Sequence, residues 1–354
     1  MYYLNEDGRK LWVDYAKTLG MFLIVWGHYF PEPISKFIYA VNVPLFFVLS
    51  GYLFKDCAFR DFIRKNAISL FLPYLLLCLF NFAIAFIFGW LSVDGFMRLG
   101  KTRVVAYLTG ILIGSHSSVG MLWFVFILFW VKVLSYFTSK NVVVRVSVAV
   151  VFMIVAICVH RYGDLDRDFR FSQLFAIPIS YLFFDFGRFL KEELVFEIIN
   201  TLSKKWKTVL AFSLFVLFYF STRGNGNAWV FCGKLGNSFW AFLIGSITGL
   251  VLILCMLNWL NLSISRFIYV SAIGSIVTMA WHGWVIKFTA PILYGMGDWM
   301  YCGVSCLLSF AIMVLFYFVI MVVRKCCPVL LGYRQTKSWI VFNESCHVFK
   351  MEKK

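Results

Sequence analysis

The chain has 354 residues, 62% of them hydrophobic and only 14% charged, and 41 Phe sit within an aromatic share of 20%. A soluble globule carries nearer a quarter charged residues, so this composition excludes a water-facing surface and indicates an all-α polytopic membrane protein. The net charge of +16, which would suggest nucleic acid in a soluble protein, is read through membrane orientation instead, and no nucleic-acid partner is expected.

With ~200 residues in lipid at ~20 per helix, about ten transmembrane helices are expected. Apolar runs bounded by charge place them at residues 13–30, 34–54, 67–90, 120–137 and 142–159, then 171–188, 207–222, 238–257, 267–286 and 301–323. The seventh is short. No signal peptide is separable from the start, because Asp14 and Lys17 sit inside the first run and no small-residue cleavage site follows it. Basic residues favour one set of connections over the other by about two to one, which predicts that both the N- and C-termini are cytoplasmic. Residues 104–113 read as an interfacial helix, and the charge-mixed segment 191–207 as a solvated one. One membrane domain, 1–323, is expected to carry a basic cytoplasmic tail, 324–354. The ten Cys show no CxxC or Cys/His spacing, which argues against a disulfide framework or a bound metal.

Ionisable residues inside spans are costly and mark polar interiors. The first span holds Asp14, Lys17 and His28. Eleven residues make about three helical turns, so Lys17 and His28 project from one face about 16 Å apart along the axis, and Asp14 can pair with Lys17. Taken singly, Lys17 reads equally as a snorkelling lysine and His28 as a packing histidine. His282 stands fifteen residues into the ninth run, as His28 stands fifteen into the first. Both are therefore ~22 Å from the inner boundary of a ~30 Å core, a depth that allows one shared cavity.

In the second span Pro44 kinks the helix, and Asn42 beside it serves either the kink or a polarised carbonyl. Ser50-Gly51 reads as close helix packing. Trp123 near the outer end of the fourth span reads as an interfacial tryptophan, or as a donor facing the interior.

The stretch from Asp14 through Lys17 to Trp26-Gly27-His28 resembles the opening helix of the membrane-bound acyltransferase family 3, which has Arg or Lys, ten residues, then His. Asn42-Val43-Pro44-Leu45-Phe46-Phe47 with Ser50-Gly51-Tyr52 is similar to the family's second-helix signature. Arg64-Lys65 leading to Leu72-Pro73-Tyr74, Leu122-Trp123-Phe124, and Ile273-Gly274-Ser275 followed by His282 resemble three further features in the same order. Two positions depart from the family pattern: Lys17 stands where Arg is commoner, and Asn42 where many members have His.

The resemblance implies an O-acetyltransferase of a bacterial inner membrane, moving an acyl group, first of all acetyl, from acetyl-CoA to a hydroxyl of an envelope glycan or lipid-linked sugar. On side-chain chemistry His28 is expected to act as general base on the acceptor hydroxyl, or to carry an acyl-histidine intermediate, with Asn42, Trp123 and His282 as candidate oxyanion donors. Lys17, oriented by Asp14, and Arg60, Arg64 and Lys65 on the following inner loop would hold the CoA phosphates. The alternative reading of the same buried charges is a transporter or flippase of an acidic or lipid-linked solute, or a glycan polymerase.

Overall fold

The structure is a computed structural model, and it describes residues 10–91, 101–162, 172–260 and 262–332. Among the described residues the chain forms helices and turns, with one isolated bridge between Trp229 and Lys234 and no strand. The first half comprises α1 (Leu11–Gly27), α2 (Glu32–Tyr52), α3 (Phe59–Asn66), α4 (Leu72–Leu91), α5 (Lys101–Ile113), α6 (Trp123–Thr138) and α7 (Val142–Tyr162). The second comprises α8 (Ala176–Glu192), α9 (Val195–Thr201), α10 (Lys204–Arg223), α11 (Phe239–Trp259), α12 (Arg266–Ile273), α13 (Ser275–Thr289) and α14 (Asp298–Cys326).

Each of the ten apolar runs coincides with helix over most of its length. Seven helical runs among the described residues are long and apolar enough to cross a membrane: α2, residues 59–84, residues 120–138 ending in α6, α7, α11, the run from α13 to Leu293, and α14. α1 and α8 have 17 residues each, about 25 Å of helix against a ~30 Å core, and α10 opens on Lys204, Lys205 and Lys207. The ninth run departs from a single helix. It breaks at Gly274, where a side chain would collide with Ile320 of α14, so α14 crosses closely between α12 and α13. The expected interfacial segment forms part of α5, and the charge-mixed one takes in the end of α8, the short α9 and the start of α10. Residues 163–171 and the tail beyond 332 lie outside the described residues.

Hydrocarbon gives no hydrophobic drive between helices, so close packing and interhelical hydrogen bonds hold the bundle. α1 is its central post, touching α2, α11, α12, α13 and α14. Trp26 Nε1 donates to Ser305 Oγ at 3.1 Å, Thr18 Oγ1 to the Ile268 carbonyl at 3.2 Å, and Tyr15 to the Ser263 carbonyl at 2.9 Å. α2 lies against α8 along a seam where a Cβ at Gly51 would strike the Phe184 carbonyl and one at Gly187 the Val48 carbonyl. Both obstacles are backbone and cannot move aside. Gly51→Val should therefore unseat α8 and cost more than the ~1–3 kcal/mol of ordinary overpacking, read as a drop in the detergent-solubilised melting temperature. At one end of α8, Arg145 of α7 bonds Asp185 at 2.6 Å and also Glu192, which Arg188 reaches at 3.2 Å. α7 itself turns Val143, Val146, Val150 and Ile154 outward, as a lipid-facing helix does.

Candidate active site

His28 caps the C-terminus of α1, and neighbouring tyrosines take carbonyls around this helix end. Tyr39 of α2 donates to the Gly27 carbonyl at 2.8 Å, and Tyr301 of α14 to that of Tyr29. Phe30 then adopts a left-handed φ of 53°, uncommon for a bulky residue, and turns the chain toward α2.

The two intramembrane histidines meet. Their ring centroids are 4.9 Å apart, and His282 Nε2 lies 3.4 Å from His28 Nδ1. His282 Nδ1 is 2.8 Å from the Thr278 carbonyl, and His28 Nδ1 is 2.6 Å from that of Ile24. Both contacts are to acceptors, so each Nδ1 carries the proton in the neutral ring. It follows that His282 Nε2 presents a lone pair to His28 Nδ1–H, and that His28 Nε2 bears its own lone pair with no partner on this relay. His28 lines a cavity of about 350 Å³; His282 is fully buried behind it.

The cavity is walled mainly by aromatic side chains: Phe30, Tyr39, Trp123, Phe124, Trp229 and Phe231. His116 enters it stacked on Phe231, with centroids 4.4 Å apart. Asn42, 2% exposed, uses Oδ1 to accept the Val43 amide at 2.7 Å. Asn42 also lines the cavity, so one side chain bonds its own helix two residues ahead of Pro44 and faces the interior at once. The strip 228–231 is held over the cavity by Asn225, whose carboxamide bonds the Leu235 carbonyl and the Ser238 amide, and by Asn227, which accepts from Ser35 of α2. Asn225→Ala should loosen this strip and reduce acyl transfer about tenfold at unchanged fold, measured beside a circular dichroism melt.

At the other end of α1's polar face Lys17 is half-buried. Lys132 of α6 donates to Asn66 Oδ1 at 3.2 Å, and Asn66 is held by its own Nδ2 on the Phe62 carbonyl at 2.8 Å. The charges of Lys17 and Lys65 both bear on Lys132. Asp14, 3% exposed, lies one turn from Lys17 on α1. Half-buried Lys17 and exposed Lys65 thus form a cationic cluster with half-buried Lys132; like charges repel, and an anion of more than one charge would relieve them.

Of the residues singled out in the sequence, His28, Asn42 and Trp123 share the cavity wall, while His282 stands behind His28. Lys17 and Lys65 join the cationic cluster. Arg60 and Arg64 lie on the exposed face of α3, whose inner face carries Phe62 and Asn66. Sequence reasoning did not pick out Tyr39, His116, Trp229, Phe231 or the part played by Lys132. Among the described residues, no group of three His, Cys, Asp or Glu side chains is placed to hold a metal ion.

Comparison with known proteins gave no match among curated sequences and none among solved structures. A family model described as an acyltransferase domain matches residues 10–324. That span takes in α1 with Lys17 and His28, the cationic cluster, and every wall of the aromatic cavity. The chain belongs to the membrane-bound acyltransferase family 3.

Proposed function

We propose that the protein transfers an acyl group, acetyl in the first place, from acyl-CoA to a hydroxyl of a cell-envelope sugar across a bacterial plasma membrane. The lysine-rich end of the bundle then faces the cytoplasm. The observation that carries this reading is the pairing of His28 with His282, which leaves His28 Nε2 as a free base on an aromatic cavity. The cationic cluster lies about 16 Å away along the same face of α1.

Lys17, Lys132 and Lys65 suit the phosphates of a CoA thioester, since ammonium groups bind phosphate oxygens through charge-assisted hydrogen bonds. Arg60 and Arg64 add positive field at the entrance, and Asp14 steadies Lys17. The thioester supplies an activated acyl carbonyl. His28 Nε2 takes the proton of the acceptor hydroxyl as the new C–O bond forms and the C–S bond breaks, and the proton leaves with the thiol. The Asn42 amide, with the Trp123 indole beside it, meets the charge that develops on the carbonyl oxygen. The aromatic rings Trp229 and Phe231 offer flat apolar faces to a sugar ring, and His116 a polar edge.

His282 acts through His28 as a second acceptor, beside the Ile24 carbonyl, for the Nδ1–H of the ring. His282→Phe keeps a ring in place but removes the acceptor. It should lower kcat about 10- to 100-fold and displace the pH profile of kcat, with KM for acyl-CoA unchanged. A purely structural role would lower the amount of folded protein and leave the pH profile where it was. The reading as a whole is tested by incubating proteoliposomes with radiolabelled acetyl-CoA and envelope glycan. Covalent label in the glycan supports it; uptake of solute with no covalent change favours transport.

A further inference from the structure

A second cavity, of about 750 Å³, opens at the lysine-rich end, among α1, the end of α9, the start of α10 and the end of α11. Trp12, which lines it, is five residues ahead of Lys17 and so about 140° round α1 from the catalytic face. It therefore belongs to neither the cationic cluster nor the aromatic cavity.

Its chemistry is one-sided. Lys204 and Lys207 stand in the first turn of α10, whose unsatisfied amides add the positive pole of a helix. Three further lining side chains carry donors with no acceptor among the described residues: the indole nitrogens of Trp12 and Trp259 and the carboxamide nitrogen of Asn258. Trp12 is only 5% exposed, and a buried donor without a partner is costly. No Asp or Glu lines the cavity. A ligand that completes this set must bring several acceptor oxygens and negative charge, which is the description of a phosphate ester. Met256 and Leu260 form an apolar lip and are both more than half exposed, and α10 presents Phe212 and Phe215 to the surroundings just beyond. Donors inside and hydrocarbon at the rim match a lipid headgroup better than a free solute.

We propose that this cavity binds the phosphate of an anionic phospholipid from the adjoining leaflet. The purified full-length protein, in nanodiscs containing phosphatidylglycerol or phosphatidylcholine, tests this by native mass spectrometry of retained lipid. The double substitution Lys204→Gln with Lys207→Gln should reduce phosphatidylglycerol retention about tenfold or more, whereas Lys140→Gln with Lys205→Gln, also at exposed lysines, should not. Trp12→Phe keeps the ring and removes only the N–H, and should weaken retention severalfold in protein that melts normally. Equal retention by both double variants means general surface charge and overturns the proposal. Adenosine 3′,5′-bisphosphate serves as the soluble probe: if its affinity falls in the Lys204/Lys207 variant while lipid retention holds, the lipid assignment is overturned in favour of a nucleotide.

Discussion

His28→Ala should reduce acyl transfer about 10³-fold while leaving acyl-CoA affinity near that of the parent protein. General-base removal costs typically ~10²–10⁴-fold, and the relay Thr278–His282–His28 leaves no second imidazole correctly placed to substitute. His282 has its Nδ1 on a carbonyl and its Nε2 on His28, so it cannot reach the cavity without a rotation that its full burial opposes. His116 reaches the cavity but is stacked on Phe231. His28→Gln is the stricter companion variant, because it retains a polar group able to bond the Ile24 carbonyl. Loss of activity in both, with unchanged melting behaviour, separates chemistry from folding. Wild-type rates in either would remove His28 from the reaction.

Lys132→Met should act on binding rather than on chemistry, raising KM for acyl-CoA about 10- to 100-fold with a smaller effect on kcat. The substitution keeps the length of the side chain and discards its charge. It also takes the Lys132 donor away from Asn66 Oδ1, at a cost to stability of about 1 kcal/mol. Lys17→Met should give the same kinetic pattern. Because the two lysines act on each other, the double variant should lose less than the two single effects multiplied together. Independent effects, or a fall in kcat alone, would mean that the cluster does not hold the donor. The substituted protein should keep most of the salt dependence of its KM, since the remaining cations Arg60, Arg64 and Lys65 are exposed and are the ones that salt screens.

What could be read without coordinates was local to single helices. Lys17 and His28 lie on one face because eleven residues close nearly three turns, and that arithmetic needs no neighbours. The equal depth of His28 and His282 anticipated their meeting but did not determine it, because the contact depends on α1 and α13 being adjacent in the bundle. Lys132 was visible as a charge inside a span, yet its partners come from α1 and α3, and no spacing within α6 reveals them. His116, Trp229 and Phe231 stand in connections with no periodicity, and in a chain so rich in aromatics an extra ring in a loop carries little signal. The break at Gly274 escaped hydropathy because the apolar run continues through it; the glycine is there for the approach of Ile320. α1 and α8 are offset from their apolar runs, α1 ending at Gly27 and α8 starting at Ala176, because the residues next to those ends form a turn and a short 3₁₀ stretch.

The most direct measurement of the central claim is an experimental density map of the protein bound to a non-hydrolysable thioether analogue of acetyl-CoA. The account predicts phosphate density against Lys17 and Lys132, and the acyl carbon in the aromatic cavity at about 3.5 Å from where an acceptor oxygen bonded to His28 Nε2 would sit. An analogue seated with its phosphates elsewhere, or with its acyl end remote from His28, would contradict it.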